Sequence, residues 1–154
     1  MKKTAILCTV FFVLGAVLLF AVSYDNNEYQ RKSRAYSELA RRAYSEGDYD
    51  ASIEYSRLAE ENAQKSADYI QYMLARVEAE QAMNRARTRY TWAKNNKAEE
   101  KYPEAFKTAT EALQAGNTAF GNKDFDVAVV CAKKVLDALA VVTGDESSFA
   151  TLPA

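Results

Sequence analysis

The amino-acid sequence predicts an all-α protein: an apolar N-terminal signal or anchor helix followed by an up-and-down array of about four helices, one of them very long. The 154 residues include only five Gly and two Pro, which leaves little turn chemistry for a sheet-rich fold. Ala, Glu, Lys, Arg and Gln are frequent and favour helix. Apolar residues also recur at three- and four-residue steps. We expect a leader at 1–23, a helical domain at 24–143 and a flexible tail at 144–154.

The leader has the pattern of an export signal. Lys2 and Lys3 precede an apolar run over residues 4–22, and polar residues follow. Small residues at Ala21 and Ser23 suit cleavage after Ser23. The run is also long enough to cross a bilayer at about 1.5 Å per residue. Both outcomes place the rest of the chain in the periplasm. The part of the chain after the leader is then either a soluble periplasmic domain or a domain anchored in the inner membrane by residues 4–22.

The first two helices of the domain are separated by Gly47-Asp48. Gly is typical just after a helix, and Asp48 is suited to cap the next one. The second helix begins near Tyr49 and meets no Gly or Pro before Pro103. We expect it to be continuous over more than about 40 residues; a break near residues 64–68 is the alternative. Its predicted apolar stripe consists of Ile53, Ala59, Ala63, Ala67, Ile70, Leu74 and Val77, continuing to Met83 and Ala86.

Two shorter helices complete the array. Pro103 lies at the first-turn position that tolerates proline, and an Ala-rich helix follows it. A turn at residues 121–123 leads to Asp124 as the predicted cap of the last helix, which Thr143-Gly144 ends. The side chains expected to be buried on this last helix are Val127, Ala128, Cys131, Ala132, Val135 and Leu139.

The two predicted hairpins share a sequence pattern at their turns. Residues 43–53 (AYSEGDYDASI) correspond to residues 119–129 (AFGNKDFDVAV). In each segment an aromatic residue ends one helix, and a second aromatic residue begins the next helix. This pattern resembles the tetratricopeptide repeat, with Gly116 and Ala128 at the family's small positions and a third partial match at Trp92-Ala93. Standard repeats recur about every 34 residues, whereas these turns are unevenly spaced. The resemblance therefore implies an irregular array.

The order of the elements is also similar to the helical regions of spirochaetal envelope proteins that often precede a LysM module. No LysM sequence is present in the chain. This resemblance implies an envelope location and leaves a role at the cell wall open.

Several kinds of chemistry are disfavoured by the composition. The chain has no His, so it lacks Ser-His-Asp and Cys-His nucleophile systems and His-based metal sites. Cys131 follows two valines and is interpreted as a core residue. The carboxylate pairs at 60–61 and 99–100 fit a solvated helix surface. The net charge of −1 argues against nucleic-acid binding. We expect no enzymatic activity, no cofactor and no metal.

The tetratricopeptide resemblance implies a groove lined by particular positions on the first helix of each repeat. Seven residues of this chain match those positions, and four of the seven are cationic. Arginine can hold a carboxylate through two hydrogen bonds. We expect the partner to be another envelope protein or an acidic peptide segment. The strongest charge feature is a basic cluster on the long helix, and its alternative interpretation is a solvated helix face interleaved with Glu78 and Glu80. This cluster consists of Arg76, Arg85, Arg87, Arg89 and Lys94. The predicted partner-binding residues are Arg34, Arg41, Tyr44, Arg87, Lys94, Asn117 and Phe120.

The sequence as a whole favours an exported helical scaffold or adaptor that mediates protein–protein interactions in the bacterial cell envelope. Two alternatives remain: a cell-wall-associated structural protein, and a self-assembling periplasmic spacer built on the long helix.

Overall fold

The computed structural model describes residues 24–143, which are helical and contain no strand. The all-α prediction is confirmed for this part of the chain. The leader at 1–23 and the tail at 144–154 lie outside the described residues. The elements are α1 (Glu28–Glu46), α2 (Tyr49–Asn95), α3 (Ala98–Lys101), α4 (Pro103–Gly121), α5 (Phe125–Ala138) and a 3₁₀ turn at Leu139–Val141.

Helix α1 has a defined cap at each end. The Asn27 side chain accepts a hydrogen bond from the backbone N–H of Gln30 at 3.0 Å, which satisfies one of the free N–H groups of the first turn. At the other end Gly47 adopts a left-handed conformation with φ of 83°. The sequence predicts the C-terminal end of α1 correctly because Gly47 acts locally.

Helix α2 continues without a break from Tyr49 to Asn95, so the prediction of one long helix is confirmed. The Asp48 carboxylate accepts from the N–H of Ala51 at 3.0 Å and caps its first turn. Ser66, where a break was the alternative, is 2% exposed. Its hydroxyl accepts from the Asn27 amide at 2.8 Å. The buried Ser66 hydroxyl therefore has a hydrogen-bond partner on the other arm of the hairpin, and the helix continues through Ser66.

The segment after α2 contains a short helix that the sequence did not predict. Lys97 takes a left-handed conformation with φ of 58°, and Ala98–Lys101 then forms the single turn α3. The long helix ends at Asn95, and the chain returns to helical geometry at Ala98, which is fully buried.

The chain divides into two compact units between Met73 and Leu74. In the described part of the N-terminal unit, α1 and the beginning of α2 form a hairpin with a sparse interior. The Asn27–Ser66 hydrogen bond and a Ser52 hydroxyl that donates to the carbonyl of Ala40 at 3.0 Å join its two helices. Its buried residues are small or polar: Ser33, Ala40, Ala43, Ala59, Asn62 and Ser66.

The C-terminal unit has a fuller core, formed by the last part of α2 with α3, α4, α5 and the 3₁₀ turn. Met83 is fully buried beside Gly116, where a Cβ atom would come within 2.8 Å of the Met83 sulfur. The glycine therefore permits a close approach between α2 and α4. The larger buried side chains of this core are Met83, Trp92, Phe106, Phe125, Val135, Leu139 and Val142.

The predicted burial is wrong at several positions. On α2, Ile53 and Leu74 are 69% and 50% exposed, and Ala63 and Ala67 are also exposed. The buried positions nearby are Asn62 and Ser66, which an apolar stripe does not include. On α5, Val127 is 53% exposed. In the first part of α2 the error arises because polar side chains with hydrogen-bond partners occupy the interior of the N-terminal hairpin.

Candidate functional site

The two hairpin turns have the same backbone geometry. Asp48 N–H donates to the Ala43 carbonyl at 3.0 Å, and Asp124 N–H donates to the Ala119 carbonyl at 2.9 Å. One residue earlier in each turn, the backbone has a positive φ: 83° at Gly47 and 68° at Lys123. Both turns therefore end the first helix with the same hydrogen bond. The side-chain caps differ, because Asp48 caps α2 whereas Asp124 makes no such bond to α5. Asp124 does occupy the predicted N-cap position of α5, but its φ of −82° and ψ of 68° lie outside the extended geometry usual for a cap, and the expected side-chain bond is not formed.

Aromatic pairs close both hairpins, but their exposure differs. The rings of Tyr44 and Tyr49 meet edge to face at 5.5 Å, and those of Phe120 and Phe125 do so at the same distance. Tyr44 and Tyr49 are 66% and 60% exposed, whereas Phe125 is 7% exposed. The same local structure is thus a surface feature of the N-terminal unit and part of the core of the C-terminal unit.

In the C-terminal unit, α2 covers the α4–α5 hairpin. The Arg87 guanidinium donates to the Asn117 side-chain oxygen at 2.7 Å. Tyr90 shares a hydrogen bond with Thr110 at 3.0 Å and stacks on Phe106 with ring centres 4.9 Å apart. These contacts join the face of α4 that includes Thr110 and Asn117 to the last part of α2.

Four of the predicted partner-binding residues lie in this C-terminal unit. Arg87 and Asn117 are brought together by their hydrogen bond, and Phe120 packs against Phe125. These three therefore contribute to contacts within the unit. Lys94 is exposed on α2, close to the end of the helix.

The other three predicted residues lie on α1 in the N-terminal unit. Arg34, Arg41 and Tyr44 are all exposed and are spaced for one side of the helix. Arg41 pairs with Glu38 at 2.9 Å, and both side chains are well exposed. Such a surface pair contributes little stability, so Arg41 can exchange this partner at small cost.

Arg89 has a structural role that the sequence did not reveal. Its guanidinium donates to the carbonyls of Leu139 and Val142, each at 2.9 Å, and lies 4.1 Å from the centre of the Trp92 ring. In the sequence it is one member of a basic cluster, and its acceptors are backbone atoms 50 or more residues away. No local pattern marks such a contact.

A second feature that the sequence did not single out is an open groove of about 450 Å³ in the N-terminal unit. The rings of Tyr29 and Tyr69 meet edge to face at 6.4 Å beside it. The available signal was the high tyrosine count, ten in the chain, without a way to place those residues together. Its lining is Tyr29, Lys65, Asp68, Tyr69 and Tyr72.

The ionisable groups with shifted pKa values belong to exposed ion pairs along single helices. A hydrogen bond from Lys32 lowers the pKa of Glu28, and one from Arg57 lowers that of Glu54. Lys65 likewise lowers the pKa of Glu61. Pairs at these spacings stabilise helices. Within residues 24–143 no group of three or more acidic or Cys side chains is placed to hold a metal.

Over the same residues, no helix offers an apolar stretch of the length that a bilayer requires.

The chain is similar to the Treponemal membrane protein B of Treponema pallidum (strain Nichols). The two are 53% identical over 135 residues, which make up 86% of this chain and 42% of that protein. The chain thus spans about two fifths of the length of this curated relative. No family model matches the chain, and no solved structure matches it.

Proposed function

We propose that the protein is a helical scaffold or adaptor of the bacterial cell envelope that binds another protein through its helix faces. The observation that carries this proposal is a cluster of exposed apolar side chains on the N-terminal hairpin. Tyr44, Tyr49 and Ile53 are 66%, 60% and 69% exposed, and the first two contact each other. Grouped apolar side chains at a surface mark sites of protein interaction, and tyrosine is enriched in such interfaces.

A divergent tetratricopeptide-like architecture is part of the proposal. The shared backbone hydrogen bonds of the two turns and their matching aromatic pairs support it. Helical arrays of this kind present extended surfaces to peptides and to other helices.

The proposed location is the periplasm, where the domain is soluble after cleavage near Ser23 or held at the inner membrane by residues 4–22. Two observations support an envelope location: the apolar leader that follows Lys2 and Lys3, and the similarity to a relative named as a membrane protein.

We propose that the protein has no catalytic activity. The absence of His from the chain and the assignment of the shifted pKa values to exposed surface pairs support this. Binding of another envelope protein without a cofactor or metal is sufficient for a scaffold.

Site-specific photocrosslinking in the native envelope tests the adaptor role. A photoreactive amino acid replaces Ile53 in one variant and Arg42 in a control, both of which are exposed. We expect one recurrent partner protein to be captured from position 53 and not from position 42. Equal capture at both positions, or none at either, would reject the adaptor role. Capture of the protein itself would favour the self-assembling spacer.

The tyrosine groove favours a second candidate, a cell-wall-associated structural protein. Tyrosine faces stack on sugar rings, and Tyr29, Tyr69 and Tyr72 line one open groove. Co-sedimentation with purified peptidoglycan tests this role. The Tyr69→Ala variant should lose binding, whereas Tyr44→Ala, which removes an exposed tyrosine away from the groove lining, should retain it. Equal retention by the two variants would exclude the groove as the binding site.

A further inference from the structure

The match of residues 43–53 with 119–129 is extended along both hairpins at the same offset of 76 residues, which defines a counterpart for each position. Within residues 24–143, a third helix covers the C-terminal hairpin and none covers the N-terminal one. We infer that the N-terminal hairpin receives an acidic amphipathic helix of another protein in the position that α2 fills on the C-terminal hairpin. This inference rests on the proposed adaptor function and specifies the chemistry of the partner. It depends on burial, charge and side-chain size at matched positions.

Burial identifies the open face. Tyr49 is 60% exposed, whereas its counterpart Phe125 is 7% exposed. Further along α2, Ser56 and Ala63 are exposed, whereas their counterparts are 1% exposed at Ala132 and fully buried at Leu139. Tyr49, Ile53, Ser56 and Ala63 are spaced to form one stripe of a helix. The stripe that is buried in the C-terminal unit is therefore solvent-exposed in the N-terminal unit.

Charge at the same face specifies an acidic partner. In the C-terminal hairpin Asn117 accepts a hydrogen bond from Arg87; its counterpart in the N-terminal hairpin is Arg41. Thr110, which bonds to Tyr90, has Arg34 as its counterpart. A helix that docks in the same way on the N-terminal hairpin must therefore present carboxylates where α2 presents Arg87 and Tyr90.

The same comparison argues against a second copy of this α2 segment as the occupant. Its Arg87 would face Arg41, and two like charges at a contact disfavour association. The partner helix therefore comes from a protein of different sequence, with acidic residues at these two positions.

Side-chain size adds a further condition. In the C-terminal unit, Met83 packs beside Gly116 and Cys131. The counterparts of these two residues in the N-terminal hairpin are the larger Ala40 and Tyr55. The Tyr55 ring stacks with that of Tyr36 at 6.4 Å and occupies space beside α1. The partner helix must then carry alanine or glycine at the position of Met83, because a larger side chain would meet the tyrosines.

A peptide designed from α2 itself supplies the probe. The peptide called acidic, for the carboxylates that it places at positions 87 and 90, is residues 75–95 with Met83→Ala, Arg87→Glu and Tyr90→Glu, which balances four basic with four acidic residues. The basic control peptide carries Met83→Ala alone and keeps five basic and two acidic residues. Each is titrated by fluorescence anisotropy against the full chain in a mild detergent. We expect the acidic peptide to bind about tenfold more tightly than the basic one. Arg41→Glu in the protein should reverse this preference, because it exchanges the sign of the facing charge.

Arg42→Glu is the matched control, since it makes the same charge change on an exposed neighbour whose counterpart, Thr118, bonds only within α4. It should leave both affinities within about twofold. Failure of both peptides to bind, equal affinities, or equal effects of Arg41→Glu and Arg42→Glu would overturn the inference. Tighter binding of the basic peptide would overturn it in favour of self-association. If crosslinking still captures a partner while the peptides fail, only this docking mode is rejected and the adaptor role stands.

Discussion

At the scale of single residues, glycine in one hairpin turn and lysine in the other take the same backbone conformation. Gly47 and Lys123 hold φ of 83° and 68° at matched positions, and the left-handed region disfavours side chains with a Cβ. We predict that Lys123→Gly stabilises the protein by about 1 kcal/mol and that Gly47→Ala destabilises it by about 1 kcal/mol. Chemical denaturation measures both changes.

Lys123→Ala separates the backbone effect from the loss of the lysine charge. It keeps the Cβ and should change stability by less than about 0.5 kcal/mol. If Lys123→Ala raised stability as much as Lys123→Gly does, the lysine charge, and not the backbone conformation, would be the cause of the lower stability.

At position 116, glycine is needed because of close packing and not because of backbone conformation. A Cβ there would lie 2.8 Å from the Met83 sulfur and 3.0 Å from the Cys131 Cβ. Met83 can shift its flexible end, but the Cys131 Cβ is fixed to the α5 backbone. We predict that Gly116→Ala lowers the unfolding free energy by about 1 kcal/mol, because overpacking exceeds the gain in helix propensity.

Gly121→Ala is the natural comparison, since nothing lies within 4 Å of a Cβ at that position. The same substitution there should leave stability unchanged or raise it by a few tenths of a kcal/mol. Equal destabilisation at both glycines in thermal melts would contradict the packing explanation.

At the scale of elements, Arg89 joins α2 to the end of α5 and the 3₁₀ turn. Its guanidinium donates to the Val142 carbonyl and is a second donor, beside the Val142 N–H, to the Leu139 carbonyl. We predict that Arg89→Ala lowers stability by about 2 kcal/mol, whereas Arg85→Ala, on the exposed surface of the same helix, has an effect below about 0.5 kcal/mol. Urea denaturation compares the two variants, and similar losses would show that general helix charge is responsible.

The elements also show what the sequence could predict. The end of α1, the start of α2 and the start of α4 follow from Gly47, Asp48 and Pro103, which act locally. The stripe of α2 was partly wrong because a hydrophobic pattern cannot recognise Asn62 and Ser66 as interior residues. Their burial depends on hydrogen bonds across and along the hairpin. Long-range partners, such as Arg89 with Leu139, were unpredictable for the same reason.

For the candidate site, the sequence identified residues but not their environments. It grouped Arg41 and Asn117 as equivalent positions, and the matched hairpin turns support that alignment. It could not tell that Asn117 bonds to Arg87 on α2, whereas Arg41 pairs with Glu38 on its own helix. Deciding which positions remain available to a partner required knowing where the third helix lies.

At the scale of the whole molecule, the two units differ in the apolar surface that they bury. The N-terminal interior is made of small and polar residues, and the C-terminal core includes Phe106, Phe125 and Leu139. Burial of larger apolar side chains gives greater stability. We predict that backbone amides of α1 exchange with deuterium at least about tenfold faster than those of α4 and α5.

Hydrogen exchange followed by mass spectrometry measures this difference, with the middle of each helix compared so that frayed ends do not contribute. Equal protection of α1 and α4 would indicate that the units unfold together. If the proposed partner helix binds the N-terminal hairpin, its addition should slow exchange in α1 and leave α4 unchanged.

The contact between Arg89 and Trp92 has a practical consequence for such measurements. Trp92 is 8% exposed in the C-terminal core, and it is the single tryptophan of the chain. Its emission is therefore a natural optical reporter of that core, whereas eight of the ten tyrosines lie in the N-terminal unit. Exciting at wavelengths selective for tryptophan follows the C-terminal unit without labelling, so the protein carries its own means of testing whether the two units unfold together.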